Sequence, residues 1–142
     1  MLKFEGEYLN GERNEKGKEY YENGKLKFEG EYLKGERNGI GKEYYYLNGE
    51  LIFEGEYLNG ERNGKGKEYY ENGKLEFEGE YLNGEKWNGK GKKYFNGELI
   101  FEGEYLNGAR WNGKGKEYDE YDEDELIFKG KYLNGEKISS KK

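Results

Sequence analysis

Across residues 51–58, Leu51, Phe53, Gly55 and Tyr57 alternate with Ile52, Glu54, Glu56 and Leu58. A period of two places the first set on one side of a strand and the second on the other. The stretch Phe-Glu-Gly-Glu-Tyr-Leu-Asn-Gly returns in near-copies that begin at Phe4, Phe28, Phe53, Phe77, Phe101 and Phe128, with spacings of 24, 25, 24, 24 and 27 residues. A recurrence of that size marks a repeat architecture. In the unit spanning residues 51–74, the turn-rich Asn59-Gly60-Glu61-Arg62-Asn63 leads into a second extended run over residues 64–70, and residues 71–74 close the unit. Asn-Gly between two such runs signals a hairpin, because both residues tolerate positive φ.

Each unit therefore reads as one β-hairpin, and each connector makes a further hairpin to the next unit. The predicted fold is all-β: an elongated single-layer antiparallel meander of about 11 strands, built from five and a half hairpin repeats of about 24 residues. At about 4.8 Å per strand the ribbon would be on the order of 50 Å long, with a lone final strand over residues 128–133. Residues 1–138 form the repeat domain and residues 139–142 a short polar tail. A helix is excluded, because apolar residues do not recur at helical spacing and glycine interrupts every window.

All 25 glycines fall on repeat-equivalent positions. Glycine inside a strand weakens a sheet unless something covers the bare backbone, and rings from neighbouring strands are the expected cover, Phe53 and Tyr57 over Gly64 and Gly66. The first strands of units one to five carry Glu-Gly-Glu and most second strands carry Lys-Gly-Lys, with Ile40 an exception. On one face these would form alternating acidic and basic rows that penalise a slip in register. The last octapeptide inverts the charge to Lys129-Gly130-Lys131, as expected of a guarded terminal edge.

Composition narrows the chemistry. The 142 residues include 25 basic and 31 acidic side chains, a net charge of -6, 18% aromatics, and no Cys, His or Pro. With 32% hydrophobic residues, burial has to come from large rings on a thin scaffold. Lack of Cys rules out disulfides and thiolate metal sites and fits a reducing compartment, so a cytoplasmic location is expected. Met1-Leu2-Lys3-Phe4 runs straight into the first repeat, so no signal peptide is expected. The mild acidity argues against nucleic acid as a partner. Without His or Cys, and with serine only at Ser139 and Ser140, no nucleophilic triad can be assembled, and no glutamate stands apart from its repeat equivalents. No enzyme activity, cofactor or metal is expected.

The run Tyr-x-Gly-x-x-x-x-Gly-x-x-x-Gly-x-Gly, with Phe in place of the leading Tyr and recurring from Phe4 to Lys137, resembles the MORN repeat. Tyr69-Tyr70 followed by Glu-Asn-Gly-Lys-Leu-Glu-Phe-Glu-Gly is more similar to the variant MORN repeats of bacterial antitoxin-like proteins. The resemblance implies an elongated twisted sheet that serves as a scaffold, dimerises, and associates with phosphoinositide membranes.

Five residues stand out as candidates for binding. Trp87 and Trp111 are each inserted just before Asn-Gly-Lys-Gly-Lys in units four and five. They would lie about 10 Å apart along one long edge, either as a recognition patch or folded back to shield their own loops. Tyr57, Tyr81 and Tyr105 belong to a stripe with Tyr8, Tyr32 and Tyr132 that holds the sheet together and could also present a docking face. The acidic residues 119–125 form the one charge run, read as a solvated insertion. The expected function is a non-catalytic structural or scaffold module for protein–protein interaction, binding a protein partner or a second copy of itself. The alternatives are a peripheral membrane (phosphoinositide) module, a carbohydrate-binding aromatic platform, or an engineered repeat protein.

Overall fold

The computed structural model describes residues 3–84 and 87–139. These form one sheet of twelve antiparallel strands in strictly sequential order. The strands are β1 (Phe4–Leu9), β2 (Glu12–Tyr20), β3 (Leu26–Leu33), β4 (Glu36–Tyr44), β5 (Leu51–Leu58) and β6 (Glu61–Tyr69), followed by β7 (Leu75–Tyr81), β8 (Gly89–Phe95), β9 (Glu98–Leu106), β10 (Ala109–Tyr118), β11 (Leu126–Leu133) and β12 (Glu136–Ser139). The predicted meander is present with one strand more than the repeats imply. β11 is not a lone edge: β12 pairs with it through Leu133↔Glu136 and Lys131↔Ile138.

The hairpin turns are tighter than the sequence suggests. Only Asn59 and Gly60 form the turn, at φ 51° and 87°, and Glu61, Arg62 and Asn63 already belong to β6. Two successive positive φ values match the right-handed twist of the flanking strands, hence Asn-Gly. The extra residues are absorbed beyond the turn. Tyr57 pairs with Arg62 and Gly55 with Gly66, so residues 63–65 bulge opposite Glu56. Gly64 sits there at φ 100°, where a Cβ would lie 2.5 Å from Glu56 Oε1. At the equivalent bulges Ile40 N donates to Glu31 Oε1 and Lys90 N to Glu80 Oε1, both at 3.2 Å.

The core is a single layer of rings on one face. Phe28, Phe53, Phe77 and Phe101 are essentially inaccessible, with Tyr32, Tyr57, Tyr81, Tyr105 and Tyr132 buried beside them. Tyr57 stands edge-on to its own Phe53 at 5.6 Å and to Phe28 of the preceding unit at 5.2 Å. The same two contacts recur along the ribbon, each contributing roughly 0.5–1.5 kcal/mol beyond area burial. Ring cover of glycine is present, with a corrected address. Phe53 lies over Gly66, and Tyr57 lies over Gly41 of the preceding hairpin rather than over Gly64 or Gly66. The second ring over Gly66 is Tyr81, 3.2 Å from where a Cβ would sit.

The opposite face carries the charges. Lys42↔Glu54↔Lys67↔Glu78↔Lys92↔Glu102 runs as one alternating row across six strands. The pattern changes in the fifth hairpin. There β10 bulges at Trp111 alone, and Gly103 pairs with Gly113 where the earlier units would match it to Gly115. The ladder is thereby displaced by two residues, and Lys116 and Tyr118 both reach Glu98. On its other side β10 sets Lys114 against Lys131 and Lys116 against Lys129. The charge inversion in β11 therefore guards no terminal edge: it sets lysine opposite lysine inside the sheet.

Candidate interaction surface

Three features of the ribbon could meet a partner: the tyrosines and tryptophans on the ring face, the charged face, and the sheet edges. On the ring face, every core tyrosine but Tyr105 is tied by its hydroxyl to the unit before it. Tyr32 Oη donates to Glu19 Oε2 at 2.5 Å, and Arg37 donates to both oxygens of Glu19 at 3.0 and 3.2 Å. Tyr57 donates to Glu43, which also takes Arg62 at 3.0 and 3.1 Å. The same arginines lie flat on the phenylalanines, 4.0 Å from the Phe28 ring for Arg37 and 4.2 Å from Phe53 for Arg62. A charge-assisted fork and a cation–π contact thus seal these two rings from above.

Electrostatics follow this packing. Burial pushes the Glu43 carboxyl up, but the hydrogen bonds and charge of Arg62, with Tyr57, outweigh it and hold the group below its ordinary range. Glu19 behaves alike with Arg37 and Tyr32. Burial, then the neighbouring carboxylate, raises the Tyr57 and Tyr32 hydroxyls. These shifts come from structural ion pairs that repeat along the chain.

Sequence reading missed this network, although its signals are regular. An arginine recurs five residues after the core tyrosine in most units, and a glutamate recurs two residues after the last glycine of most second strands. The fourth unit departs, with Lys93 in the position of Glu19, Glu43 and Glu68. Its Nζ turns to Glu76 Oε2 at 3.0 Å and lies 4.4 Å from the Trp87 ring. Tyr105 Oη consequently has no carboxylate to donate to among the described residues, and burial pushes this hydroxyl up to about 12 against the charge and donor groups of Arg110.

The five residues singled out in the sequence occupy distinct places. Tyr57, Tyr81 and Tyr105 are 4%, 3% and 4% exposed, so a partner approaching this face meets arginine, lysine and tryptophan before it meets these rings. Trp87 is half-buried and does the work arginine does elsewhere. It stacks on Phe77 at 4.7 Å with planes 19° apart, and its Nε1 donates to Glu68 Oε1 at 2.7 Å, beside Tyr81 Oη at 2.8 Å. Trp111, also half-buried, lies in the β10 bulge with its ring against the Gly135 turn, and its carbonyl accepts Gly135 N at 2.9 Å. Each tryptophan makes its own separate set of contacts.

On the charged face, the glycine backbones form the floor of a trough of about 870 Å³ lined by the rows from Ile40 to Glu104. A second hollow of about 370 Å³ lies over Gly115 and Gly130, between Lys114, Lys116, Lys129 and Lys131. A basic cluster thus exists in space that is not apparent along the sequence, where these lysines fall in two separate strands. Among the described residues no group of three or more acidic side chains is gathered as a metal site.

A family model described as "MORN repeat variant" matches residues 16–34 and 62–83, and one described as "MORN repeat" matches residues 28–46. The chain carries MORN repeats. The matched MORN segments begin and end inside hairpins, and the structure continues the meander of hairpins to both ends of the described sheet. No curated protein matches this MORN-repeat chain. MORN repeats make it a repeat module of a kind commonly engaged in protein or membrane interaction, in a family that is generally non-catalytic.

Proposed function

We propose that the ribbon is a non-catalytic scaffold for protein–protein interaction whose first strand takes a strand from a protein partner, including a second copy of itself. One observation carries this reading: among the described residues β1 has a hydrogen-bonded neighbour on one side only, and its Tyr8 is 60% exposed where Tyr32 is 3% exposed. In later units that tyrosine rests on the phenylalanine of the preceding unit, as Tyr32 rests on Phe4 at 5.2 Å. A strand laid against β1 would extend the main-chain ladder and cover the ring, the usual chemistry of strand addition at a free edge. The alternating Glu and Lys rows give most of the charged face no basic excess for anionic lipid.

Light scattering of the full chain over a range of concentrations tests the self-pairing form. The expected result is a mass above that of one chain that falls on Tyr8→Asp, a change at an exposed ring that leaves the core intact. A monomer at every concentration rejects self-association through β1.

A further inference from the structure

Apart from Ile40, the exchange of Glu for Lys from strand to strand fails between β10 and β11, and two features meet there. First, Lys114↔Lys131 and Lys116↔Lys129 put like charges directly opposite one another, an arrangement that destabilises a sheet unless an anion lies between. Lys116 is neutralised by Glu98 at 2.7 Å, while Lys114, Lys129 and Lys131 make no ion pair among the described residues. All four lysines line the 370 Å³ hollow over Gly115 and Gly130, with Glu102, the cross-strand neighbour of Lys114 on β9, as its one acidic lining residue. Second, the connector of the same hairpin, residues 119–125, holds six acidic residues around Tyr121, which is 91% exposed. Its backbone is closed by Asp119 N donating to Glu125 O at 2.9 Å. The carboxylates of Asp119 and Asp122 accept only from backbone amides of the connector itself, and none of the six is ion-paired among the described residues.

We propose that this lysine hollow is the docking site for the acidic connector of a second copy of the chain. The inference rests on the self-association proposed above but uses a surface other than β1. Hollow and connector lie on one hairpin. A two-fold axis near that hairpin therefore makes the contact reciprocal, connector into hollow in both directions, as closed dimers require. The carboxylates settle between the lysine rows and relieve their mutual repulsion, while Tyr121 covers the apolar rim at Leu99 and Ile100. Charge pairs of this kind set the speed and orientation of encounter and weaken with added salt. A lipid surface fits less well, because the hollow is recessed between side-chain rows.

The experiment uses the full chain and a fluorescent peptide of residues 118–126, with anisotropy as the readout. The double variant Lys129→Glu/Lys131→Glu serves as control, and it should fold because it restores the charge pattern of the other first strands. The wild type is expected to bind the peptide, with about tenfold weaker affinity when salt is raised from about 0.05 to about 0.5 M. The double variant and an Asn/Gln version of the peptide are expected not to bind, and the double variant should scatter with lower mass than the wild type. Equal binding by wild type and double variant overturns the proposal. So does an unchanged mass for the double variant, or anionic vesicles that bind the wild type and are not displaced by peptide. Failure of the β1 contact is read separately: a mass that drops for Lys129→Glu/Lys131→Glu and holds for Tyr8→Asp keeps the hollow and rejects the edge.

Discussion

A single lysine decides the local order of the ring face between units four and five. Lys93 stands where the repeat supplies a carboxylate, and Tyr105 Oη is left buried without an acceptor among the described residues. A buried hydroxyl in that condition costs on the order of 1–3 kcal/mol. Changing Lys93 to Glu alone would set two acids together, since Glu76 lies 3.0 Å from the lysine. The exchanged pair Lys93→Glu/Glu76→Lys keeps the ion pair and gives Tyr105 an acceptor. Urea denaturation should find the exchanged protein more stable than the wild type by about 1 kcal/mol, and Lys93→Glu by itself less stable than the exchange. The intact clusters make a different prediction, about acid. Glu43 is held below its ordinary value of 4.5 in the folded chain, so its contribution is complete above that value and is lost as pH falls through the lower, folded one. Denaturation midpoints should therefore drop in that acidic window, and Glu43→Gln should flatten the drop while reducing stability at neutral pH.

At the scale of the strand and turn, glycine divides into two populations with different reasons for being there. Gly24 has φ 87° in a connector and nothing within 4 Å of a would-be Cβ, so alanine there costs only backbone strain, about 1 kcal/mol. Gly55 is extended, but a Cβ would lie 2.6 Å from Gly66 Cα and from Lys65 O. Backbone cannot step aside, and Gly55→Ala should cost about 3 kcal/mol or more. Comparing the two midpoints in urea separates the causes; equal losses would mean that the close strand approach is not what selects glycine at Gly55. Much at this scale was legible in the chain. The alternation of Phe53, Gly55 and Tyr57 gave the face, and Asn59-Gly60 gave the turn. What an inserted residue does was not legible, because Trp111 could enlarge the bulge or move the ladder. Nothing local distinguishes those outcomes; the Glu98 contacts of Lys116 and Tyr118 favour the second only once the strands are side by side.

For the molecule as a whole, the repeat count predicted the meander and missed β12. The segment Glu136–Ser139 lacks the glycine that marks every other second strand, and it joins the sheet through backbone pairing with β11, which needs no such mark. The basic hollow was equally hidden, since it exists only because β10 and β11 set their lysines opposite one another. Candidate binding residues chosen for ring size turned out to be mainly core, because in a one-layer ribbon the largest rings are the only core available. Burial and polar ties both run between adjacent units, so stability here is closer to a sum of neighbour terms than to a property of one interior.

The backward ties of Tyr32 and Tyr57 also bear on how such a chain can grow by duplication. A copied unit brings a tyrosine that needs the glutamate of whatever unit comes to precede it, and it offers its own glutamate to the unit that follows. Most units here could be duplicated or deleted without stranding either group. The fourth and fifth could not be parted so freely, for Lys93 offers no acceptor and only Tyr105 has been built to do without one.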